Sequence, residues 1–352
     1  TISGRVDYRT GAIRVDFGPE ELISMYPELE KIANFNTKLV GKMWSEDMRF
    51  AHHIKLAKEI EKEVKKGSIK GIILPHGTDT MTYTSASLAF MLENLPIPVL
   101  LVGAQRSPDR ASSDAVMNLI CASEFIAKTD FKGIGICMHE SSNDDYCVIL
   151  PPTKTRKLHT SRRDAFKPVN DKAIARINYK TREIKFLKPI TGNTDKKEFI
   201  AKCKLDEKVA LLKVHPNLMP DQILFFKKNK YKGLVLEGTG LGQIPVGVPD
   251  EDAKINSKNL KAIKKLIESG CVVVMTSQCI FGRVQMHVYE GAVDLVNAGV
   301  IPGEDMLSET AFVKLAWLLG NYPKEKVAEL MTKNLRGEIN EATNYKEGFV
   351  LD

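Results

Sequence analysis

The sequence has few of the patterns that would hold a metal ion or cross a membrane. Its six cysteines are scattered through 352 residues without a Cys-x-x-Cys pair, and its seven histidines form no His-Glu-x-x-His motif. Metal ligands usually recur at such short spacings, so we expect a mechanism with neither a metal ion nor another cofactor. No apolar run reaches the length of a transmembrane helix, and no signal-peptide pattern is present. We therefore expect a cytoplasmic protein with no membrane contact.

Neither positive nor negative charge is in large excess. The 51 Lys and Arg residues against 44 Asp and Glu residues give a net charge of +7, which is mild for this length and does not by itself indicate nucleic-acid binding. The basic run at residues 227–232 favours a solvated helix end over an RNA contact. With 43% hydrophobic and 27% charged residues, the composition is that of a globular protein long enough for two domains.

The first half of the chain alternates between apolar runs of strand length and helical patterns. Strands are predicted at residues 71–74, 99–102 and 133–138, and helices at residues 81–92 and 114–127. Continuous apolar strands separated by helices are typical of a parallel sheet covered on both faces. The sequence therefore predicts an α/β fold.

A second α/β segment follows a polar stretch that has no sustained period. We place a first domain at residues 1–189, a linker at residues 190–206 and a second domain at residues 207–352. Strand and helix alternation resumes in the second domain, where strands are predicted at residues 209–214, 233–236 and 271–275.

The loop after the first predicted strand holds a candidate nucleophile and a carboxylate. Thr78 and Asp79 lie between that strand and the helix at residues 81–92, at the end of a parallel strand where α/β sheets place their sites. The alternative is that both residues only cap the helix. On position alone the two interpretations are equally good. We take this loop as the candidate active site because it brings a hydroxyl and a carboxylate together at the end of a strand.

Two further residues, Lys157 and Thr1, could have catalytic roles, but their positions in the sequence do not establish these roles. Lys157 lies in a basic loop at residues 153–163, where a solvated charge run is the simpler interpretation; as a proton acceptor it would have to lie beside a hydroxyl. Thr1 could be an N-terminal nucleophile activated by its own amine. Such enzymes, however, have two stacked sheets, whereas this chain is predicted to have a parallel α/β sheet. If residues are missing upstream, Thr1 is instead an internal residue that follows a strand.

Several segments together resemble the L-asparaginase family. His-Gly-Thr-Asp-Thr-Met at residues 76–81 is similar to the family's second signature, and Thr-Ile at residues 1–2 is similar to the end of its first, Gly-Gly-Thr-Ile. Ser-Glu-Asp-Met at residues 45–48 is similar to the loop that binds the substrate carboxylate. Further similar segments lie at residues 157–166, 276–279 and 303–306. The resemblance covers nearly the whole chain and implies the asparaginase-like fold, with a larger parallel-sheet N-terminal domain and a smaller α/β C-terminal domain.

Within the family, residues 7–12 and 160–166 are most similar to the D subunits of archaeal glutamyl-tRNA(Gln) amidotransferases. Those subunits hydrolyse an amide donor and pass ammonia to a partner subunit, which amidates glutamate on tRNA. The resemblance thus implies a Gln or Asn substrate, a tRNA-binding partner subunit and, as for other family members, a homodimer. The D subunits also carry a small N-terminal domain, so we expect residues upstream of this sequence to be missing.

The resemblance also implies roles for the candidate residues. Thr1 would attack the side-chain amide with help from Tyr8 and form an acyl-enzyme. In a second cluster of Thr78, Lys157 and Asp79, the lysine would draw the threonine proton.

Substrate binding is implied for three residues. Ser45 would bind the α-carboxylate, and Asp79 would also hold the α-ammonium. Glu46 stands where bacterial members often carry Gln, and an extra carboxylate there would alter the preference between Asn and Gln.

Three functions fit these observations. The first is an ammonia-producing subunit of a tRNA-dependent amidotransferase, and the second is a stand-alone L-asparaginase. The third is a regulatory or binding module with an inactive site, which is disfavoured because the polar residues that the chemistry needs are present.

Overall fold

The computed structural model describes residues 2–189 and 197–343. The chain divides into two compact units, Thr1–Cys203 and Lys204–Asp352. The linker predicted at residues 190–206 stays a prediction, because residues 190–196 lie outside the described residues.

The first unit contains a mixed set of strands and helices. Its strands are β1 (Gly4–Val6), β2 (Ile13–Val15), β3 (Ile72–Pro75), β4 (Leu92–Glu93), β5 (Pro98–Val102), β6 (Gly133–His139), β7 (Tyr146–Leu150), β8 (Thr155–Lys157), β9 (Phe166–Pro168), β10 (Ala175–Asn178), β11 (Ile184–Phe186) and β12 (Ile200–Ala201). Its helices are α1 (Pro19–Ser24), α2 (Phe50–Lys66), α3 (Met81–Met91) and α4 (Ala115–Lys128), with 3₁₀ turns at Leu29–Lys31 and Ser45–Asp47.

The main sheet of this unit has the strand order β11-β10-β7-β6-β5-β3. Strands β3, β5 and β6 are parallel, as the sequence predicts, and each predicted strand and helix of this region agrees with the structure to within one residue at either end. Strands β7, β10 and β11 are antiparallel additions. The chain turns back after β6 within residues 140–145, which is too short for the crossover of a dozen or more residues that a parallel strand needs.

Burial explains why the central strands are uninterrupted apolar runs. All five residues of β5 are buried, since helices cover the sheet on both faces. The core beside α4 includes Phe125, whose ring packs against those of Phe131 and Phe186.

The N-terminal segment forms a hairpin that the sequence did not predict. Strands β1 and β2 pair antiparallel, and residues 7–12 turn between them. Backbone hydrogen bonds between Asp7 and Ala12 and between Asp7 and Gly11 close that turn, with Gly11 in the left-handed conformation at φ +71° that glycine adopts without strain.

The second unit is a smaller parallel α/β layer. Its strands are β13 (Val209–Lys213), β14 (Gly233–Gly238), β15 (Val272–Ser277) and β16 (Ile301–Pro302), and its helices are α5 (Pro220–Lys228), α6 (Ser257–Glu268), α7 (Glu290–Asn297), α8 (Ser308–Asn321) and α9 (Lys324–Met331), with a 3₁₀ turn at Lys254–Asn256. The strands are parallel in the order β13-β14-β15-β16. A fully buried ion pair joins Lys314 on α8 to Glu338, with 2.6 Å between Nζ and Oε1.

The two-part α/β fold class is therefore as predicted. Within residues 2–189 and 197–343, we find no helix with both the length and the apolar character needed to cross a membrane.

Candidate functional site

The loop between β3 and α3 is held at the carboxyl end of the parallel strands. The amide of His76 donates to the carbonyl of Val102 on β5, so the ladder continues one residue past β3. Helix α3 has Thr80 at its N-cap position, and the Thr80 hydroxyl donates to the carbonyl of Ser45 over 2.7 Å. Neither Thr78 nor Asp79 occupies the cap position, which leaves both side chains available for other contacts.

Those contacts are made by Lys157. Its Nζ donates to Oγ1 of Thr78 over 2.8 Å and to Oδ1 of Asp79 over 2.6 Å. Thr78 is buried at 5% exposure, while the side chains of Lys157 and Asp79 are 14% and 61% exposed. An ammonium group held between a hydroxyl and a carboxylate at hydrogen-bond distances is a geometry suited to proton transfer.

A short hairpin fixes the position of Lys157. Lys157 ends β8 and pairs with the buried Phe166 of β9, and the amide of Leu158 donates to the carbonyl of Ala165 over 2.7 Å. This hairpin is a separate two-stranded sheet.

Helix α3 also contacts the segment that leads into the hairpin. The buried Ser85 hydroxyl on α3 lies 2.8 Å from the carbonyl of Pro152 and donates to it, and the Thr155 hydroxyl donates to the carbonyl of Pro151. The helix that follows Thr78 is thus tied to the segment that leads into the strand carrying Lys157.

Ion pairs order the loop beyond Lys157. Arg162 donates two hydrogen bonds of 2.8 and 2.9 Å to the carboxylate of Asp164, and these bonds lower the pKa of Asp164 below its ordinary value. Arg163 pairs with Asp144, and the Arg106 guanidinium donates to the carbonyl of Ser161 over 2.7 Å. The loop is therefore anchored at several points rather than being the solvated charge run that its composition suggests.

Two glycines make the close packing of the site possible. A Cβ on Gly77 would lie 2.7 Å from the hydroxyl oxygen of Ser45, and a Cβ on Gly103 would lie 2.8 Å from Cγ2 of Thr78. Ser45 is buried against this loop, whereas the neighbouring Glu46 is exposed. The structure thus places Ser45 against the Thr78 loop, and the Glu46 carboxylate Oε2 lies 3.5 Å from the Ser45 hydroxyl oxygen.

Of the remaining predicted site residues, the structure describes Tyr8, which is not part of the cluster. Tyr8 lies on the turn between β1 and β2 with 88% of its surface exposed, so it makes little contact with the rest of the described chain. Thr1 lies outside the described residues.

A cavity of about 150 Å³ that opens to solvent borders the candidate loop. Its lining includes Ile2, Ser45, His76 and Gly77, and most of the other lining residues are apolar. Thr78, Asp79 and Lys157 are not among its lining residues, so the cavity adjoins the cluster rather than containing it.

Two buried polar residues behind the loop were not predicted from the sequence. His53 on α2 and Thr84 on α3 are both buried and lie 3.2 Å apart, from Nε2 to Oγ1. His53 shares the apolar face of α2 with Leu56 and Ile60, at the i, i+3 and i+7 positions. A histidine on an otherwise apolar helix face was the available signal.

No group of three or more His, Cys, Asp or Glu side chains that could hold a metal ion occurs in the described part of the chain.

Comparison with known proteins identifies the family on both units. Residues 1–191 match the family model "Asparaginase, N-terminal", and residues 208–331 match "Glutaminase/Asparaginase C-terminal domain". The D subunit of glutamyl-tRNA(Gln) amidotransferase from Pyrococcus abyssi is 45% identical over 346 residues, which cover 98% of this chain and 76% of that protein. The D subunit from Methanococcus maripaludis is also 45% identical, over 98% of this chain and 79% of that protein.

Solved structures show the same relation. The thermostable L-asparaginase from Thermococcus kodakarensis superposes with a TM-score of 0.81 at 28% identity, covering 97% of each chain. L-asparaginase I from Vibrio cholerae gives a TM-score of 0.81 at 26% identity, covering 97% of this chain and 96% of the other. The chain therefore belongs to the asparaginase family and is an amidohydrolase of the glutaminase/asparaginase type.

Proposed function

We propose that this protein hydrolyses the side-chain amide of glutamine or asparagine with a threonine nucleophile and supplies the ammonia to a tRNA-dependent amidotransferase. The observation that carries the chemistry is the position of Lys157 Nζ, 2.8 Å from the Thr78 hydroxyl and 2.6 Å from the Asp79 carboxylate. This cluster brings together three polar groups from two separate segments of the chain.

In the proposed reaction, the Thr1 hydroxyl attacks the amide carbon and loses its proton through Tyr8. As the C–N bond breaks, that proton passes to the leaving nitrogen, ammonia departs, and an ester joins the acyl group to Thr1. Water then cleaves the ester and restores the threonine. Tyr8 stands largely exposed on the β1–β2 turn, so this step requires the turn to close over the bound substrate, as lid loops do in other enzymes.

The second cluster acts on the same substrate. Lys157, when deprotonated, draws the proton of the Thr78 hydroxyl, and the Asp79 carboxylate orients the lysine. Ile2, which follows Thr1 in the sequence, lines the cavity that Ser45 and Gly77 also line.

Substrate recognition is proposed for Ser45, Glu46 and Asp79. The Ser45 hydroxyl binds the substrate α-carboxylate, and the exposed Asp79 carboxylate also receives the α-ammonium. Glu46, exposed next to Ser45, adds a second negative charge that influences the choice between Gln and Asn.

The proposed supply of ammonia to tRNA-dependent amidation rests on the relatives. Proteins named as D subunits of glutamyl-tRNA(Gln) amidotransferase share 43–46% identity with 97–98% of this chain. By analogy, a partner subunit binds tRNA and uses the ammonia to convert Glu-tRNA(Gln) to Gln-tRNA(Gln), and the present chain forms a homodimer. Such a role places the protein in the cytoplasm, where tRNA is charged.

The alternative is a stand-alone L-asparaginase, which the similarity to solved asparaginases favours. The deciding experiment measures ammonia release from Gln and from Asn, each with and without the partner subunit and Glu-tRNA. Gln hydrolysis that depends on the complex supports the first function. Strong Asn hydrolysis by the isolated protein supports the second.

A variant of Thr78 tests the site itself. Thr78→Val keeps the shape of the side chain but removes the hydroxyl that Lys157 contacts, so ammonia release is expected to be lost while the fold persists. Near-normal turnover in this variant would contradict the site assignment. A wild-type protein that folds and assembles but releases no ammonia would instead indicate an inactive binding module.

A further inference from the structure

A line of buried polar side chains runs behind the Thr78 loop and joins it to two helices. Nδ1 of His76 lies 2.6 Å from the carbonyl oxygen of Gly77, and its Nε2 lies 2.9 Å from Oγ1 of Thr84. That oxygen lies 3.2 Å from Nε2 of His53, whose Nδ1 lies 2.8 Å from Oγ of Ser87. All four side chains are buried.

The direction of every hydrogen bond in this line follows from the acceptor at its end, the Gly77 carbonyl. A carbonyl only accepts hydrogen bonds, so the Gly77 carbonyl requires a proton on Nδ1 of His76. Burial lowers the pKa of His76 to about 4 and that of His53 to about 3, so each ring carries a single proton at neutral pH.

The remaining protons then have one consistent arrangement. Nε2 of His76 accepts from the Thr84 hydroxyl, which has only one proton to give. The Thr84 oxygen must therefore accept from Nε2 of His53, and Nδ1 of His53 accepts from the Ser87 hydroxyl. The Thr80 carbonyl, 3.4 Å from the Thr84 oxygen, is the more distant acceptor.

We propose that Thr84 and His53 are positioning residues for amide hydrolysis, because they hold His76 in the tautomer that fixes the Gly77 carbonyl and hence the peptide that carries Thr78. This inference rests on the proposed function of the Thr78 cluster. Neither residue touches the cluster directly, and each acts through His76.

The surroundings of the loop explain why such a support is needed. Gly77 has no side chain to anchor it, since a Cβ there would meet Ser45. On the far side of the loop, Thr80 is held through its hydroxyl to the Ser45 carbonyl. The His76 contact fixes the carbonyl of the residue immediately before Thr78, so the peptide between the two anchors cannot rotate freely.

Buried polar groups with a partner for each proton restrict the chain to one arrangement more strongly than an apolar core does. A displacement of the Thr78 hydroxyl by a fraction of an ångström would lengthen its 2.8 Å contact with Lys157. Misplacement of about 1 Å costs on the order of a hundredfold in rate.

The test compares three variants on α3. Thr84→Val removes the hydroxyl and breaks the line, and it is expected to lower kcat for amide hydrolysis about tenfold, with a much smaller change in KM. Thr84→Ser restores a hydroxyl and should return most of kcat. Thr82→Val makes the same chemical change at a buried threonine of the same helix that is outside the line, and it should keep kcat near the wild-type value.

Several outcomes would overturn the proposal. One is wild-type kcat in Thr84→Val, a second is an equal loss in Thr82→Val, and a third is failure of Thr84→Ser to recover activity. The last two would indicate that any change in the packing of α3 has the same effect.

A measurement on the unmodified protein keeps the inference testable if Thr84→Val does not fold. Nitrogen-15 NMR of histidine-labelled protein reports which ring nitrogen is protonated. We expect Nδ1–H for His76 and Nε2–H for His53, and the opposite tautomer at either ring would refute the hydrogen-bond line. Because this readout needs no turnover, it still decides the arrangement if the wild-type protein proves to hydrolyse neither Gln nor Asn, which would refute the proposed function instead.

Discussion

Replacing Lys157 with methionine separates the chemical role of this residue from its structural one. Lys157→Met keeps an unbranched side chain of similar length within the hairpin but removes Nζ, and with it both contacts to Thr78 and Asp79. If the lysine moves a proton in the reaction, the loss belongs to the transition state and appears in kcat.

Lys157→Met is expected to change the reaction rate much more than the folding stability. Asp79 is 61% exposed, so its ion pair with Lys157 contributes only about 0.2–1 kcal/mol to folding, and the bond to the Thr78 hydroxyl adds roughly 1 kcal/mol. The free energy of unfolding should thus fall by no more than about 2 kcal/mol. Loss of a positioned proton-transfer group lowers the rate by about 10²- to 10⁴-fold, which corresponds to roughly 3–5 kcal/mol of activation free energy.

The assay is steady-state ammonia release from Gln and Asn, paired with urea unfolding followed by circular dichroism. Lys157→Arg is the matched control, since arginine keeps the positive charge but cannot lose its proton. Loss of kcat in both variants supports proton transfer by Lys157. Normal kcat in Lys157→Arg would show that charge alone is needed, and a change confined to KM in Lys157→Met would refute the catalytic role.

Three further predictions concern other parts of the structure. Gly77→Ala places a methyl group 2.7 Å from a serine hydroxyl oxygen and should lower kcat/KM at least about tenfold. Gly247→Ala is the control, because nothing lies within 4 Å of the added methyl group, and it should leave kcat/KM unchanged. Equal kcat/KM in the two variants would contradict this prediction. Lys314→Met leaves a fully buried carboxylate without its counter-ion and should lower the free energy of unfolding by about 3–5 kcal/mol, measured by urea titration; an unchanged midpoint would show that the carboxylate is protonated at little cost. The pKa values of His53 and His76 are lowered by burial from 6.5 to about 3 and about 4, so the unfolded chain binds more protons below pH 6.5 and stability should fall as pH drops from about 6.5 towards 4. Thermal unfolding across that range tests this, and a flat profile would mean that both rings are charged in the folded protein.

Local patterns sufficed for the central elements of the fold. The parallel strands β3, β5 and β6 and the helices between them were predictable because each apolar run has flanking loops and a length typical of its class. The direction of the antiparallel strand β7 was harder to predict, since an apolar run does not indicate which way the chain runs. Only the short turn between β6 and β7 excludes a parallel crossover.

The candidate site was predictable in its residues but not in its geometry. Thr78 and Asp79 were expected from their place after a strand, yet the contact with Lys157 spans 79 residues and depends on how the hairpin packs on α3. The exposure of Tyr8 was equally out of reach, because the β1–β2 turn is polar whether it is open or closed over a substrate. Nor did Thr84 stand out, since a threonine inside a helix signals nothing until His53 and His76 are seen on either side of it.

The separateness of the hairpin that carries Lys157 has a kinetic consequence. Among the described residues, strands β8 and β9 pair only with each other, and the Ser85 hydroxyl donates a hydrogen bond that ties the segment before them to α3. The hydrogen bond between Ser85 and Pro152 closes a loop of 67 residues. Closing a loop of that length costs more chain entropy than forming the local turns of a helix, and long-range contacts of this kind form slowly. On refolding from denaturant, helical circular dichroism should therefore recover before amide hydrolysis does, and the interval between the two signals would report the docking of the lysine onto a threonine loop that is already formed.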